Sequence, residues 1–314
     1  MAGLDPAIQT GWAAQGRPWR KNIVKYILAL LFTLFTLAPA AAAPVVHAHP
    51  ALWHVQGPKG EAYLFGSIHL LPKNINWRTK AVDTAIKRAN VFVFEVSTDS
   101  EAQAEIRALI AKEGMLAPGQ SLRAMLPPPS QTDYDAALAK AKLSPENVDR
   151  EKPWLASLQL LIAESAAKHY SADAGVDNAV MAIVAKQHKP SRYFETIEQQ
   201  FSLLAGSGDK LQLSEFESDL KDFGKSDDDL GAMVDAWKNG QEDRLAGLMN
   251  TDLADDPEMK KALLTDRNQN WVGQIETMLT EKNIFFITVG AGHLAGPDGV
   301  PAMLRAAGYG VDGP

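Results

Sequence analysis

Two stretches of the chain end in the same device. Gly66-Ser67-Ile68-His69 follows the apolar run Tyr63-Leu64-Phe65, and Gly290-Ala291-Gly292-His293 follows Phe286-Ile287-Thr288-Val289. A glycine at a strand end lets the backbone turn or approach a ligand closely, and the histidine three residues on is placed just beyond the sheet. Two further runs end in acids: Glu95 follows Val91-Phe92-Val93-Phe94, and Glu195 follows Arg192-Tyr193-Phe194. If these four runs are neighbouring parallel strands, His69, Glu95, Glu195 and His293 meet on one rim. Two imidazoles with one or two carboxylates suit a divalent transition metal that keeps positions open for water and substrate, and a second carboxylate can then act as general base on that water. Each residue also has a plainer reading. A histidine can be a loop residue with a local hydrogen bond, a glutamate can pair with an arginine at a strand end, and no His-Glu-x-x-His motif is present.

Glu95 ends a purely apolar run, so its charge needs a partner such as a metal ion. Glu195 follows a more polar stretch and opens an amphipathic helix, a setting in which a carboxylate exchanges protons with water; it is the candidate base, with the reverse assignment of the two acids as the alternative. Arg267, Asn268 and Trp271 share a helix face at i, i+1 and i+4, so Arg267 can hold a substrate carboxylate, a catalytic acid or a developing oxyanion, with Asn268 and Trp271 beside the substrate. The alternative is a surface ion pair and a core tryptophan. Asp177, just before a helix expected from Asn178, reads as an N-cap before it reads as a ligand. His47, His49 and His54 read as a solvated N-terminal tract, with a weak adventitious metal tract as the alternative, and His169 and His188 sit near helix C-termini, where a cation suits the dipole.

The elements that position these residues follow from periodicity and breakers. Ala51 to Gln56 and Glu61 to Phe65 are predicted strands joined by Gly57-Pro58-Lys59-Gly60 as a hairpin. Trp77 to Ala89 has helical spacing, and Val91 to Phe94 is the next strand, so strand, helix and strand succeed one another as in a βαβ unit. Glu101 to Asn250 is predicted mainly helical, a cover or lid, with Glu101 to Glu113, Gln131 to Lys142, Pro153 to Tyr170, Asn178 to His188 and Asp227 to Asn239 as its clearest helices. Pro127-Pro128-Pro129 reads there as a rigid connection. The chain returns to the sheet at Ser191 to Phe194 and at Ile284 to Val289, then closes with a helix from Pro301 to Ala307 and a strand from Tyr309 to Val311.

Composition narrows the partners. The 314 residues are 46% hydrophobic and 22% charged, ordinary globular values, and the formal net charge of -7 with no basic stripe gives no nucleic-acid footprint. There is no cysteine, so disulfides, thiolate metal sites and a thiol nucleophile are excluded. Arg17, Arg20, Lys21 and Lys25 precede an uncharged apolar core from Tyr26 to Ala38 and the small residues Ala40 to Ala43, the order of a secretory signal over residues 1–43. A mature chain starting near Ala43 or Pro44, periplasmic or secreted, is the expectation. The alternative is an uncleaved inner-membrane anchor facing the periplasm, the chain's single membrane contact.

Gly66-Ser67-Ile68-His69-Leu70-Leu71-Pro72, Phe94-Glu95-Val96, Glu195-Thr196-x-x-Gln199, Arg267-Asn268-x-x-Trp271 and Val289-Gly290-Ala291-Gly292-His293-Leu294-Ala295-Gly296-Pro297-x-Gly299 together resemble the TraB/GumN family. The likeness runs from Trp53 to the C-terminus. It implies kinship with the Tiki metalloproteases, which trim the N-terminus of a secreted signalling protein, and with the ChaN and erythromycin-esterase fold. The implied architecture is one α/β domain over residues 44–314, with a mixed central sheet flanked by helices and a largely helical middle section. The resemblance also implies a divalent metal (Mn, Co or Zn) held by His69 and His293 with Glu95 as the accompanying acid. The function expected is an exported metal-dependent hydrolase acting on a peptide or protein. A haem- or metal-binding protein without turnover and an accessory protein of envelope polysaccharide export are the alternatives.

Overall fold

The computed structural model describes residues 44–206, 208–224, 229–253 and 257–314. The predicted signal segment, residues 1–43, lies outside the described residues. The chain packs as two compact units. Within the described residues, a helical unit takes 98–168 and 197–224, and a sheet unit takes 44–97, 169–196 and 229–314. The middle section therefore does not act as one helical block: residues 169–196 belong with the sheet.

The strands are β1 (Val46–His47), β2 (Leu52–Gln56), β3 (Glu61–Ser67), β4 (Leu71–Pro72), β5 (Ile75–Asn76), β6 (Val91–Phe94), β7 (Tyr170–Ser171), β8 (Ser191–Tyr193), β9 (Ile284–Gly290) and β10 (Gly310–Asp312). Six of them form the central mixed sheet in the order β10-β2-β3-β9-β6-β8. β2 and β3 make the predicted antiparallel hairpin, and β10 joins the outer edge of β2, also antiparallel. β3, β9, β6 and β8 are successive parallel neighbours, so all four finish at one edge of the sheet.

Side chains on a strand alternate between faces, and helices cover both faces here. Tyr63, Phe65, Phe92, Phe94 and Phe286 point to one side, where they pack with Val82 and Ile86 of the helix Lys80–Arg88, Val180 and Val184 of Val176–Gln187, and Trp237 of Asp229–Lys238. Ala62, Leu64, Val91, Val93, Phe285, Ile287 and Val289 point to the other. There they meet Trp271, Ile275 and Met278 of the helix Asp266–Met278, and Val300 and Leu304 of Val300–Ala306. Because both faces are dry, β6 and β9 are continuous apolar runs rather than alternating ones.

The helical unit is built from Ser100–Glu113, Pro128–Ala141, Pro153–Ala167, Ile197–Ala205 and Asp209–Asp222, with shorter turns between them. Tyr134, Leu138, Leu160, Phe216 and Leu220 lie in its core. Pro128 and Pro129 open a helix instead of bridging two elements, because a first turn has no use for the missing N–H and proline supplies the helical φ. Among the described residues no helix is long and apolar enough to cross a membrane.

Candidate active site

The edge where the four parallel strands finish carries the predicted residues. Ser67 of β3 pairs with Gly290 of β9, which sets the two Gly-x-x-His loops side by side. One residue past β6, Glu95 keeps the parity of Val91 and Val93 and so lies on the face of the helix Asp266–Met278. One residue past Phe194, Glu195 sits alongside Glu95, its N–H donating to the Glu95 carbonyl at 2.8 Å. Trp271, Ile275 and Met278 seat that helix against the sheet, which leaves Arg267, one turn before Trp271, at the level of the strand ends.

Arg267 is the hub. Its Nε donates to Glu195 Oε1 at 2.7 Å and its Nη2 to Glu195 Oε2 at 3.0 Å and to Glu95 Oε2 at 2.8 Å. Its Nη1 donates to the Leu263 carbonyl at 3.1 Å and to His293 Nε2 at 3.0 Å. A guanidinium carries five N–H groups, and these bonds engage every one. Burial disfavours its charge, but the two glutamates outweigh burial and raise its pKa. Leu263 belongs to a π-helical turn, Lys261–Thr265, directly before Arg267, a local widening of the kind often found at functional sites. Trp271 donates its Nε1 to Glu195 Oε1 at 3.0 Å, and its ring stacks on Phe194 with centroids 5.2 Å apart.

His293 is held through the next residue of the same helix. Asn268 Nδ2 donates to the Asp298 carbonyl at 2.8 Å, which turns Asn268 Oδ1 toward His293 Nδ1 at 2.6 Å. Since Oδ1 only accepts, Nδ1 carries the proton, and Nε2 is left with the lone pair that receives Arg267. His293 is buried, and its pKa lies well below 6.5, lowered first by that burial and then by the charges of Arg267 and His69.

His69 is anchored from the opposite side. Its Nδ1 donates to Asp177 Oδ2 at 2.6 Å. Burial works against its positive form, but Asp177, through charge and hydrogen bond, and then Glu95 prevail over burial and over Arg267, raising the pKa to about 9. Asp177 is therefore the partner of a site histidine and not the cap: the helix starts at Val176, with Gly175 as its N-cap. Gly175 is required by proximity, because a Cβ there would sit 2.2 Å from the His69 carbonyl oxygen. Val176 N–H also donates to the Ile68 carbonyl at 3.1 Å, so this helix start fixes both the loop and the ring.

His69, Glu95, Glu195, Arg267, Asn268, Trp271 and His293 thus form one cluster. Glu195 does not have the wetter setting expected of it: its side chain and that of Glu95 are each 9% exposed, since Trp271 and Phe194 close over the end of β8. Both glutamates take the arginine pairing that is the plainer reading of a strand-end acid. Asn268 and Trp271 are buried and act on His293 and Glu195 rather than lining an open surface. The more accessible pair is His69 with Asp177, whose side chains are 16% and 17% exposed.

The donor chemistry suits a divalent cation in type and direction. A Cβ on Gly290 would lie 3.2 Å from Glu95 Oε1, 3.6 Å from His293 Cδ2 and 3.9 Å from His69 Nε2, so the three side chains face one another across a glycine. Both imidazoles bond outward through Nδ1, the arrangement that orients Nε2 toward a metal. Among the described residues, no three His, Asp or Glu side chains stand close enough to hold an ion as they are, and Arg267 bonds both Glu95 and His293.

The chain is 20% identical over 299 residues to an uncharacterized protein of Treponema pallidum (strain Nichols), covering 90% of this chain and 88% of that relative. No solved structure matches the chain. The family model described as the TraB/PrgY/gumN family matches residues 51–312, from just before β2 through β10, and so takes in every residue of the cluster. The chain belongs to the TraB/PrgY/gumN family.

Proposed function

We propose that this protein is an exported hydrolase that uses a divalent metal ion, with His69, His293 and Glu95 as its ligands and a peptide or protein as its substrate. The observation that carries the reading is the convergence of two outward-anchored imidazoles and a buried carboxylate around Gly290. Charge supports it. Ligating histidines are neutral, and Glu95, Glu195 and Asp177 then outnumber the cation Arg267 by two charges, which a divalent ion balances. Peptide as the substrate class rests on the resemblance to the Tiki metalloproteases.

When bound, the ion supplies Lewis-acid polarisation of a carbonyl and a water of lowered pKa. The chain's own groups do the rest. Asp177 and Asn268 fix the tautomers and planes of the two rings, Glu195 and Trp271 fix Arg267 and the carboxylate it clamps, and the partly exposed side of His69 is where substrate reaches the rim.

The test is cleavage. Purified mature protein, with Mn²⁺, Co²⁺ or Zn²⁺ added to a mixed peptide library, is expected to yield products that disappear with EDTA and in His69→Ala and His293→Ala. Metal or haem binding with no product under any condition would replace the hydrolase with a binding protein. N-terminal sequencing of the fractionated protein checks export: a start near Ala43 or Pro44 is expected, and an intact Tyr26 to Val46 segment in the inner membrane would indicate an anchor.

A further inference from the structure

The hydrogen-bond inventory at His293 leaves one lone pair for two claimants. Asn268 Nδ2 faces the Asp298 carbonyl, so Asn268 Oδ1 takes the proton of Nδ1, and Nε2 has a single lone pair pointing away from the ring. Arg267 Nη1 already donates to it at 3.0 Å. A ring nitrogen in that state either accepts this N–H or binds a metal; it cannot do both. The other contacts of Arg267 carry no such conflict. A carboxylate has two lone pairs on each oxygen, so Glu95 keeps Oε2 on Arg267 while Oε1 accepts the Gly290 N–H at 2.6 Å beside the shared point. Glu195 grips the guanidinium through Nε and Nη2, and the Leu263 carbonyl holds the remaining Nη1 donor.

We propose that Arg267 and the divalent ion compete for the Nε2 lone pair of His293, so that loading the ion releases one Arg267 N–H toward the substrate side of the rim. Arg267 is then a resident cation that keeps Glu95, Glu195 and His293 in order without metal. Loading costs it one bond and gives it one donor, which is available to the oxygen of a bound carbonyl. The inference rests on the ligand set proposed above and adds a role for Arg267 that engages all five donors before loading.

The experiment is a Co²⁺ titration followed by visible absorbance, with circular dichroism to confirm folding. It compares the wild type with Arg267→Lys, which keeps a cation between the glutamates but loses the planar fork, and with the charge-balanced pair Arg267→Gln and Glu195→Gln. Both are expected to bind Co²⁺ about tenfold or more tightly than the wild type, the ordinary scale of coupling between sites, and His293→Ala should abolish that gain. Zn²⁺ titration of the ¹⁵N-labelled wild type reads the same event without a variant: the His293 Nε2 and Arg267 side-chain signals should move together. If the wild type binds metal, the folded Arg267 variants bind it no tighter and the Arg267 signals stay still, the competition is overturned while the ligand set stands. If neither wild type nor variants bind Co²⁺ or Zn²⁺, the metal reading fails and the competition with it. Binding by the variants alone would be the competition at its strongest.

Discussion

The two Gly-x-x-His loops are alike in sequence and opposite in electrostatics. Each follows a strand of the same parallel set, and each histidine is tied outward through Nδ1. His69 is tied to a carboxylate, keeps partial access to solvent and is raised to about 9; His293 is tied to a neutral amide, is buried, and stays well below 6.5. A repeated device therefore does not mean repeated chemistry. Asp177 holds His69 up against its burial, whereas burial and the charges of Arg267 and His69 hold His293 down, and environments that push two titratable groups apart are how acid and base roles are divided within one site. In the metal-free protein His69 is the proton holder and His293 the lone-pair holder.

Exchanging the two Nδ1 partners should break the difference, with the largest effect at Asn268. Asn268→Asp places a carboxylate at a position 1% exposed, where one oxygen faces the Asp298 carbonyl. A loss of about 3 kcal/mol or more in denaturant unfolding is expected, the scale for a buried charge with incomplete pairing. A stability within about 0.5 kcal/mol of the wild type would mean that the neutral amide is not needed to hold His293 in place.

Asp177→Asn comes next. The folded value of His69, about 9, lies above its unfolded value of 6.5, so the pair's stabilisation is full below pH 6.5 and fades as pH rises through 9. At neutral pH the loss should approach about 2 to 3 kcal/mol as an upper bound, and the two unfolding curves should converge above pH 9. Parallel curves at all pH values would show that the raised imidazole is not the source. Near neutral pH the smallest effect belongs to His293→Gln, which acts on the acid side. A histidine that stays neutral in the fold costs stability as pH falls below 6.5, at about 1.4 kcal/mol per pH unit, so the variant should flatten that part of the metal-free profile. An unchanged acid limb would point to other groups.

Much of this contrast could not be read from the chain alone. The loops, their parity and the meeting of His69, Glu95, Glu195 and His293 follow from apolar runs that end in glycine or an acid, because a strand's direction and alternation are local properties. Asp177 was hidden because an acid beside a helix start is an adequate cap by local rules, and only the approach of the His69 loop to Gly175 gives it a different partner. The equal burial of Glu95 and Glu195 depends on Trp271 folding over β8, a contact 76 residues away in the chain. The exchange of residues 169–196 from the helical run into the sheet unit is likewise a matter of packing, which periodicity does not encode.

The place of β9 has a consequence in time. It lies between β3 and β6, and its Gly290 N–H reaches Glu95 across 195 residues of chain. A ribosome delivers His69, Glu95 and Glu195 long before it delivers Arg267 and His293. Until β9 is made, β3 and β6 lack the neighbour that sets their spacing, and pairing at such separation is slow because the loop must close before the contact rewards it. A fragment ending before Ile284 holds the acids, Arg267 and one histidine without the strand that joins them, so the cluster closes only once β9 and the loop after it are in place.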